Sequence, residues 1–173
     1  MSATTIDRSF PAERHAIAPG TRIGHVHLKV ADLDRSLGFW RDIIGLDVTQ
    51  RMGSQAAFLS AGGYHHHIGL NTWESAGGSP PGFGATGLYH VALLYPDRPA
   101  LAQALKALVQ AGWPLEGASD HGVSEAIYLR DPDGNGVELY RDRDRADWPF
   151  DADGKLAMVT KRLDLRALLA EAG

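Results

Sequence analysis

The chain has no cysteine in 173 residues. That excludes a disulfide framework, a thiolate nucleophile and a thiolate metal site together. Long apolar runs are missing as well, and none approaches the roughly 20 residues that a membrane-spanning helix needs. Nor is there a basic surplus. Lys and Arg number 17 against 21 Asp and Glu, a net charge of −4 with histidine neutral. A protein that neutralises nucleic-acid phosphates carries the opposite balance. The first twenty residues lack the continuous apolar core of a signal peptide, since Asp7, Arg8, Glu13 and Arg14 interrupt them. A cytoplasmic location is the resulting expectation. Gly62-Gly63 and Gly77-Gly78 lack the strand-to-helix setting of a phosphate loop. No nucleophile-elbow motif accompanies a Ser, His and Asp.

What the chain does have is histidine and repetition. There are 8 His, and six of them (His25, His27, His65, His66, His67 and His90) fall on strand-like segments. Ile23-Gly24-His25-Val26-His27-Leu28-Lys29-Val30 is matched by Leu88-Tyr89-His90-Val91-Ala92-Leu93-Leu94-Tyr95, with the His-Val pairs 65 residues apart. Each is followed by a helical pattern and then by further strand-like runs, so the repeat is βαβββ. With 44% hydrophobic residues the chain can bury one sizeable core.

The expected organisation is a loose arm over 1–20, one α+β domain over 21–142 and an extension over 143–173. The domain divides into module one, 21–76, and module two, 86–142. In module one, Asp32 is an N-cap candidate, 35–44 has helical spacing and Gly45 is a stop signal. Strands are expected over 46–50, 55–60 and 64–71. Module two repeats the plan, with a helix from Arg98 to Gly112 and strands over 115–118, 126–130 and 136–141. A sheet with a helix on one face leaves its other face bare, and the second copy supplies the cover. The prediction is two βαβββ modules paired into a curved mixed sheet that encloses a metal site. In the extension, 155–170 has apolar residues at helical spacing and predicts a docking helix that caps the sheet or joins a homodimer.

His25 and His90 occupy equivalent positions of the two copies, and strand alternation turns both away from the helix-packing face. Glu138, between Val137 and Leu139, points the same way. An inward carboxylate is costly to desolvate unless a cation lies nearby. Two imidazoles and one carboxylate make a mononuclear site with open positions. Fe(II), Mn(II), Ni(II) and Zn(II) all suit such ligands. Parity puts His65 and His67 on the inward face of the third strand-like run. One His of that run is a candidate fourth ligand or proton carrier. His121 lies in a loop placed to close over the cavity, and Tyr128 stands ten residues before Glu138 as an inward phenol. Asp131-Pro132-Asp133-Gly134-Asn135 is a turn.

These segments resemble the vicinal oxygen chelate superfamily, which holds glyoxalases, antibiotic-resistance proteins and extradiol ring-cleaving dioxygenases. The resemblance covers about 21–142 and rests on the two His-Val strands, the Asp32-to-Leu46 helix and the Arg130-to-Tyr140 ending. The stretches His65-to-Trp73, Gly87-to-Ala92 and Gly117-to-Ala126 are similar to the catechol-2,3-dioxygenase-type branch. So is the tail, with Trp148-Pro149, Gly154, Met158 and Leu163-Asp164-Leu165. The resemblance implies an Fe(II) enzyme that cleaves a small aromatic diol with O₂. It implies His25, His90 and Glu138 as ligands, and His66, His121 and Tyr128 as the catalytic groups. Motif alignment favours His66 where strand parity favours His67. Two other expectations stand beside it: a Zn(II) or Ni(II) lyase or isomerase of the glyoxalase type, with His67 as fourth ligand, and a non-catalytic small-molecule binder. Many members of the branch carry a second pair of modules, and these 173 residues hold one pair.

Overall fold

The structure is a computed structural model, and it describes residues 16–173. Most of the arm expected over 1–20 therefore lies outside the described residues. Module one runs β1 (Val26–Lys29), α1 (Leu33–Trp40), β2 (Asp47–Met52), β3 (Ala56–Ser60) and β4 (Ile68–Asn71). Module two runs β5 (Val91–Leu94), α2 (Arg98–Gln110), β6 (Leu115–Asp120), β7 (Ser124–Arg130) and β8 (Gly136–Asp142). The extension adds β9 (Lys161–Arg162) and α3 (Leu165–Leu169). The chain is α+β, and its two copies have the expected βαβββ order.

Each module forms its own mixed sheet, in the orders β1-β4-β3-β2 and β5-β8-β7-β6-β9. The first strand of each copy runs parallel to the last, and the remaining pairs are antiparallel. Among the described residues no ladder fuses the two sheets into one. Each helix caps itself at the start: Asp32 accepts from Arg35 N–H, and Asp97 accepts from Ala100 N–H. Helix α1 stops earlier than its apolar spacing predicts. Gly45 takes a left-handed φ of 88°, and Leu46 N–H turns back to the Trp40 carbonyl. Leu37, Phe39 and Trp40 of α1 and Leu101, Leu105 and Leu108 of α2 are fully buried, whereas Val109 is exposed.

The modules meet through one carboxylate. Asp131 builds the β7–β8 turn by accepting from the N–H groups of Asp133 and Asn135 and from the Asn135 amide. The turn then presents Asp133 to module one. Its Oδ1 accepts from Ala31 N–H at 2.9 Å and from Arg35 at 2.5 Å, and its Oδ2 accepts from Ser36 Oγ at 3.0 Å. Beside this clamp, Phe39 packs on Trp113 with ring centroids 4.8 Å apart.

Two expectations need correction. The strand predicted over 64–71 is only Ile68–Asn71, because Gly62 and Gly63 both adopt left-handed φ and break the extended run. His65, His66 and His67 therefore sit in the turn before β4. The helix predicted over 155–170 is also absent in most of its length. Phe150 and Leu156 form an isolated bridge, Lys161 and Arg162 pair with the edge of β6, and only Leu165–Leu169 is helical. An available sheet edge outcompeted a helical period that Asp164 interrupts as an N-cap, its carboxylate accepting from Arg166 and Ala167 N–H. The short helix α3 packs against α2.

Removing the clamp tests how the modules are joined. Asp133→Ala leaves the Ala31 N–H without its acceptor and the Ser36 hydroxyl with only the Asp32 carbonyl, at an expected cost of about 2 kcal/mol. Urea unfolding should show a lower midpoint and an unchanged slope. A loss below about 1 kcal/mol would mean that helix packing alone holds the copies together.

Candidate active site

The second module gathers a continuous line of polar side chains. Glu138 stands on β8 between Ala92 of β5 and Tyr128 of β7, its register partners on either side. His90 immediately precedes β5, and its Nε2 lies 2.9 Å from Glu138 Oε2. Tyr128 Oη lies 3.2 Å from Glu138 Oε1. His121, in the turn after β6, places its Nε2 at 2.8 Å from Tyr128 Oη. The His90 Nδ1 atom is buried with no hydrogen-bond partner among the described residues. Burial pushes the Tyr128 phenol up to about 12, with the Glu138 charge and hydrogen bond adding to the effect. Tyr89, His90, Gly117, Tyr128 and Gly136 line a cavity beside this row.

Gly136 makes the closeness possible. A Cβ there would run into the Tyr89 carbonyl oxygen and come within 3.0 Å of the His90 Cβ. Only a residue without a side chain lets β5 and β8 lie this near.

The first module gathers histidines instead. The His25 and His66 rings are 4.3 Å apart at their centroids, and His66 also meets Phe58 at 5.0 Å. His65 Nδ1 lies 2.7 Å from His66 Nδ1. Burial lowers His66 below the ordinary imidazole value, and the neighbouring His25 lowers it further. The His67 ring is engaged elsewhere: its Nδ1 lies 3.1 Å from Ser60 Oγ and accepts from Ala61 N–H at 3.3 Å. Of the two residues left open between motif and parity, His66 is the one placed against His25.

His90, Glu138, Tyr128 and His121 are thus brought into one row, while His25 and His66 form a second group. Among the described residues, no three His, Asp or Glu side chains are drawn together closely enough to hold one ion. The His90–Glu138 pair by itself suits a divalent cation. It offers one imidazole nitrogen and one carboxylate oxygen, both acceptable to first-row metals, at mutual contact.

The copies also differ at the carboxylate. Superposing Val26 with Val91 and Ile68 with Val137 sets Gly69 where module two has Glu138, and His27 where it has Ala92. A Cβ on Gly69 would stand 2.9 Å from the His27 ring. Only module two therefore has room for an acid at this position. The internal alignment could have found this asymmetry. The partners of His121 in the extension, Val159 and Thr160, carried no sequence signal.

Comparison with known proteins agrees with these features. The model of the Glyoxalase/Bleomycin resistance protein/Dioxygenase superfamily matches residues 22–139. The chain is 43% identical over 158 residues to a catechol-2,3-dioxygenase from Bacillus subtilis, covering 91% of this chain and 54% of that protein. It is 30% identical to a manganese-dependent 2,3-dihydroxybiphenyl 1,2-dioxygenase from Geobacillus genomosp. 3, covering 74% of this chain and 39% of that one. The chain thus spans about half, or less, of these two relatives. Among solved structures, a lactoylglutathione lyase from Agrobacterium tumefaciens aligns with a TM-score of 0.56 at 25% identity, over 72% of this chain and 96% of its own.

Two measurements check this geometry. Gly136→Ala should force β5 away from β8, part His90 from Glu138 and lower metal retention after dialysis. Unchanged retention would show that the pair does not depend on this close approach. The second check is alkaline titration followed by phenolate absorbance. Tyr128, and Tyr95, which burial alone pushes to about 12, should ionise late, and Glu138→Gln should bring part of the late signal to lower pH. The raised phenols keep their protons in the folded state while unfolded chains lose them near about 10. Stability should accordingly fall as pH rises from about 10 towards 12, and Tyr128→Phe should lessen the fall.

Proposed function

Because this chain belongs to the glyoxalase/bleomycin resistance protein/dioxygenase superfamily, we propose that it is an extradiol-type dioxygenase acting on a small aromatic diol. The row His90–Glu138–Tyr128–His121 carries this reading. It puts two metal-ligand types, a phenol and a second imidazole in hydrogen-bonded sequence. The similarity to two dioxygenases, one of them manganese-dependent, supports it.

In this reading His90 and Glu138 would hold a divalent cation, and His25, the third ligand by its matched place in the repeat, would have to reach it from the separate group it forms with His66. Fe(II) is the first candidate and Mn(II) the second. A cation so held would supply Lewis acidity to a chelated diol. The chain's own groups do the rest. Tyr128 presents its phenol oxygen beside Glu138 and within hydrogen-bond reach of His121, at the edge of the cavity. His66, against His25, and His121, against Tyr128, are the imidazoles placed to accept or return protons. The site cavity on module two excludes part of the solvent from this row.

The glyoxalase-type alternative asks for a fourth ligand from module one. Gly69 offers none at the position equivalent to Glu138, and the His67 ring is tied to Ser60 and Ala61. Both facts favour the three-ligand reading over a Zn(II) or Ni(II) lyase.

The test is oxygen uptake with a panel of catechols after anaerobic loading with Fe(II) or Mn(II), with metal content measured in parallel. Glu138→Ala should lose both metal and uptake. His66→Ala should keep the metal and slow turnover by about 10²–10⁴-fold, the usual range for a general acid or base. Metal loss in His66→Ala would move that residue into the ligand set. Absence of uptake with either metal and every catechol would overturn the dioxygenase reading and leave the small-molecule binder ahead.

A further inference from the structure

The segment that follows β8 returns to the turn that carries His121. Val159 meets that residue at the backbone and at the ring. Its N–H donates to the His121 carbonyl at 3.1 Å, and its own carbonyl lies 3.0 Å from His121 Nδ1. The side chains of Pro149 and Val159 lie over the neighbouring Gly122, where a Cβ would meet them at 3.0 and 3.3 Å. Just beyond, Lys161 and Arg162 pair with Asp120 and Ser119 of β6. The extension is therefore laid directly across the turn.

Proton counting gives this contact its meaning. A carbonyl only accepts, so Nδ1 must carry the proton for the 3.0 Å contact to be a hydrogen bond. A neutral imidazole has one N–H, which leaves Nε2 bare, and Nε2 faces Tyr128 Oη at 2.8 Å. Tyr128 has a single proton and two neighbours that can take it, His121 Nε2 at 2.8 Å and Glu138 Oε1 at 3.2 Å. Thr160 Oγ1, at 3.4 Å from Nδ1, is a longer second contact at the same end of the ring.

We propose that Val159 is a positioning residue: its carbonyl holds His121 as the Nδ1–H tautomer, so that Nε2 takes the hydrogen bond of Tyr128. The phenolic proton then points at the histidine, and Glu138 Oε1 stays free to bind a cation. Loss of the strap lets the ring turn its proton to Nε2, and the phenol then donates to Glu138 and competes for the carboxylate. The consequence for turnover rests on the dioxygenase reading, but the tautomer itself does not.

The experiment is a two-bond proton–nitrogen correlation spectrum of the full chain labelled with ¹⁵N-histidine. It is recorded with Zn(II) present, and at about pH 8.5, roughly two units above the ordinary imidazole value. His121 is identified by the signals that vanish in His121→Gln. The Nδ1–H pattern is expected in the parent. In Val159→Pro, which deletes the N–H anchoring the strap to His121, the ring should shift to the Nε2–H form that free histidine favours. An Nε2–H ring in the parent, or a ring protonated on both nitrogens at that pH, overturns the proposal. An Nδ1–H ring in a folded Val159→Pro overturns it too. Should that variant fail to fold, the parent spectrum decides alone. No substrate is involved, so an Nδ1–H ring in a chain without oxygen uptake would remove the dioxygenase reading and keep the positioning role. Uptake with an Nε2–H ring would do the reverse.

Discussion

The Asp133 carboxylate is the constraint through which the two modules find each other. It satisfies Ala31 N–H just beyond β1 and Ser36 in the first turn of α1, and it pairs with Arg35. Five residues later in the chain comes Glu138. One side chain thereby ties the end of the strand that His25 begins to the turn that delivers β8. Among the described residues the sheets share no ladder, so their relative placement depends on this clamp and on apolar packing such as Phe39 against Trp113. Arg35 is half exposed and contributes little net energy as an ion-pair partner. The weight falls on the part-buried Ala31 N–H and on the Ser36 hydroxyl, which shares its contact between Asp133 and the Asp32 carbonyl.

Duplication supplied two similar halves, and chemistry depends on where they stopped being similar. The first strand of each copy is preceded by histidine, but the partner strands differ. Module two sets a carboxylate beside alanine, and module one sets glycine beside histidine. The exchange keeps the summed bulk tolerable on each side, since the His27 ring occupies the space over Gly69. It also leaves only one of the two copies with an acid at this matched position. A single carboxylate with neutral imidazoles leaves a net positive charge on a bound divalent ion, which favours capture of an anionic, doubly coordinating oxygen ligand over a neutral one.

Much of this was legible before any coordinates. The histidine strands, the helix start at Asp32 and the turn over 131–135 follow from local spacing and side-chain chemistry, which act within a few residues. The parity that pointed to His67 failed for a local reason. Alternation counted back from Ile68 does not hold through the bends at His65 and His67, which lie outside β4. The role of Asp133 was hidden because its partners lie about a hundred residues away, and the same residue is also an ordinary turn former. The extension misled through a genuine apolar period, Leu156, Val159 and Leu163. Of these only Leu163 is buried. What decided its conformation was an unpaired strand edge elsewhere in the chain, which composition does not reveal.

The extension is held at both ends by one buried carboxylate. Glu125 on β7 accepts from Arg98 at the start of α2 and from Arg141 and Arg143 at the end of β8 and just after it. Arg98 also reaches Glu171 beyond α3, and Arg143 reaches Asp120 beside His121. Three guanidinium groups and three carboxylates thus balance around a side chain almost without solvent. Removing Glu125 alone would leave Arg141 without a carboxylate and Arg98 and Arg143 with one each, a larger disturbance than loss of any single bond. The strap enters near Arg143 and closes at Glu171, and Val159 lies between these anchors against the His121 ring. A change at Glu125 would therefore reach the His121 turn through Arg143 and Asp120.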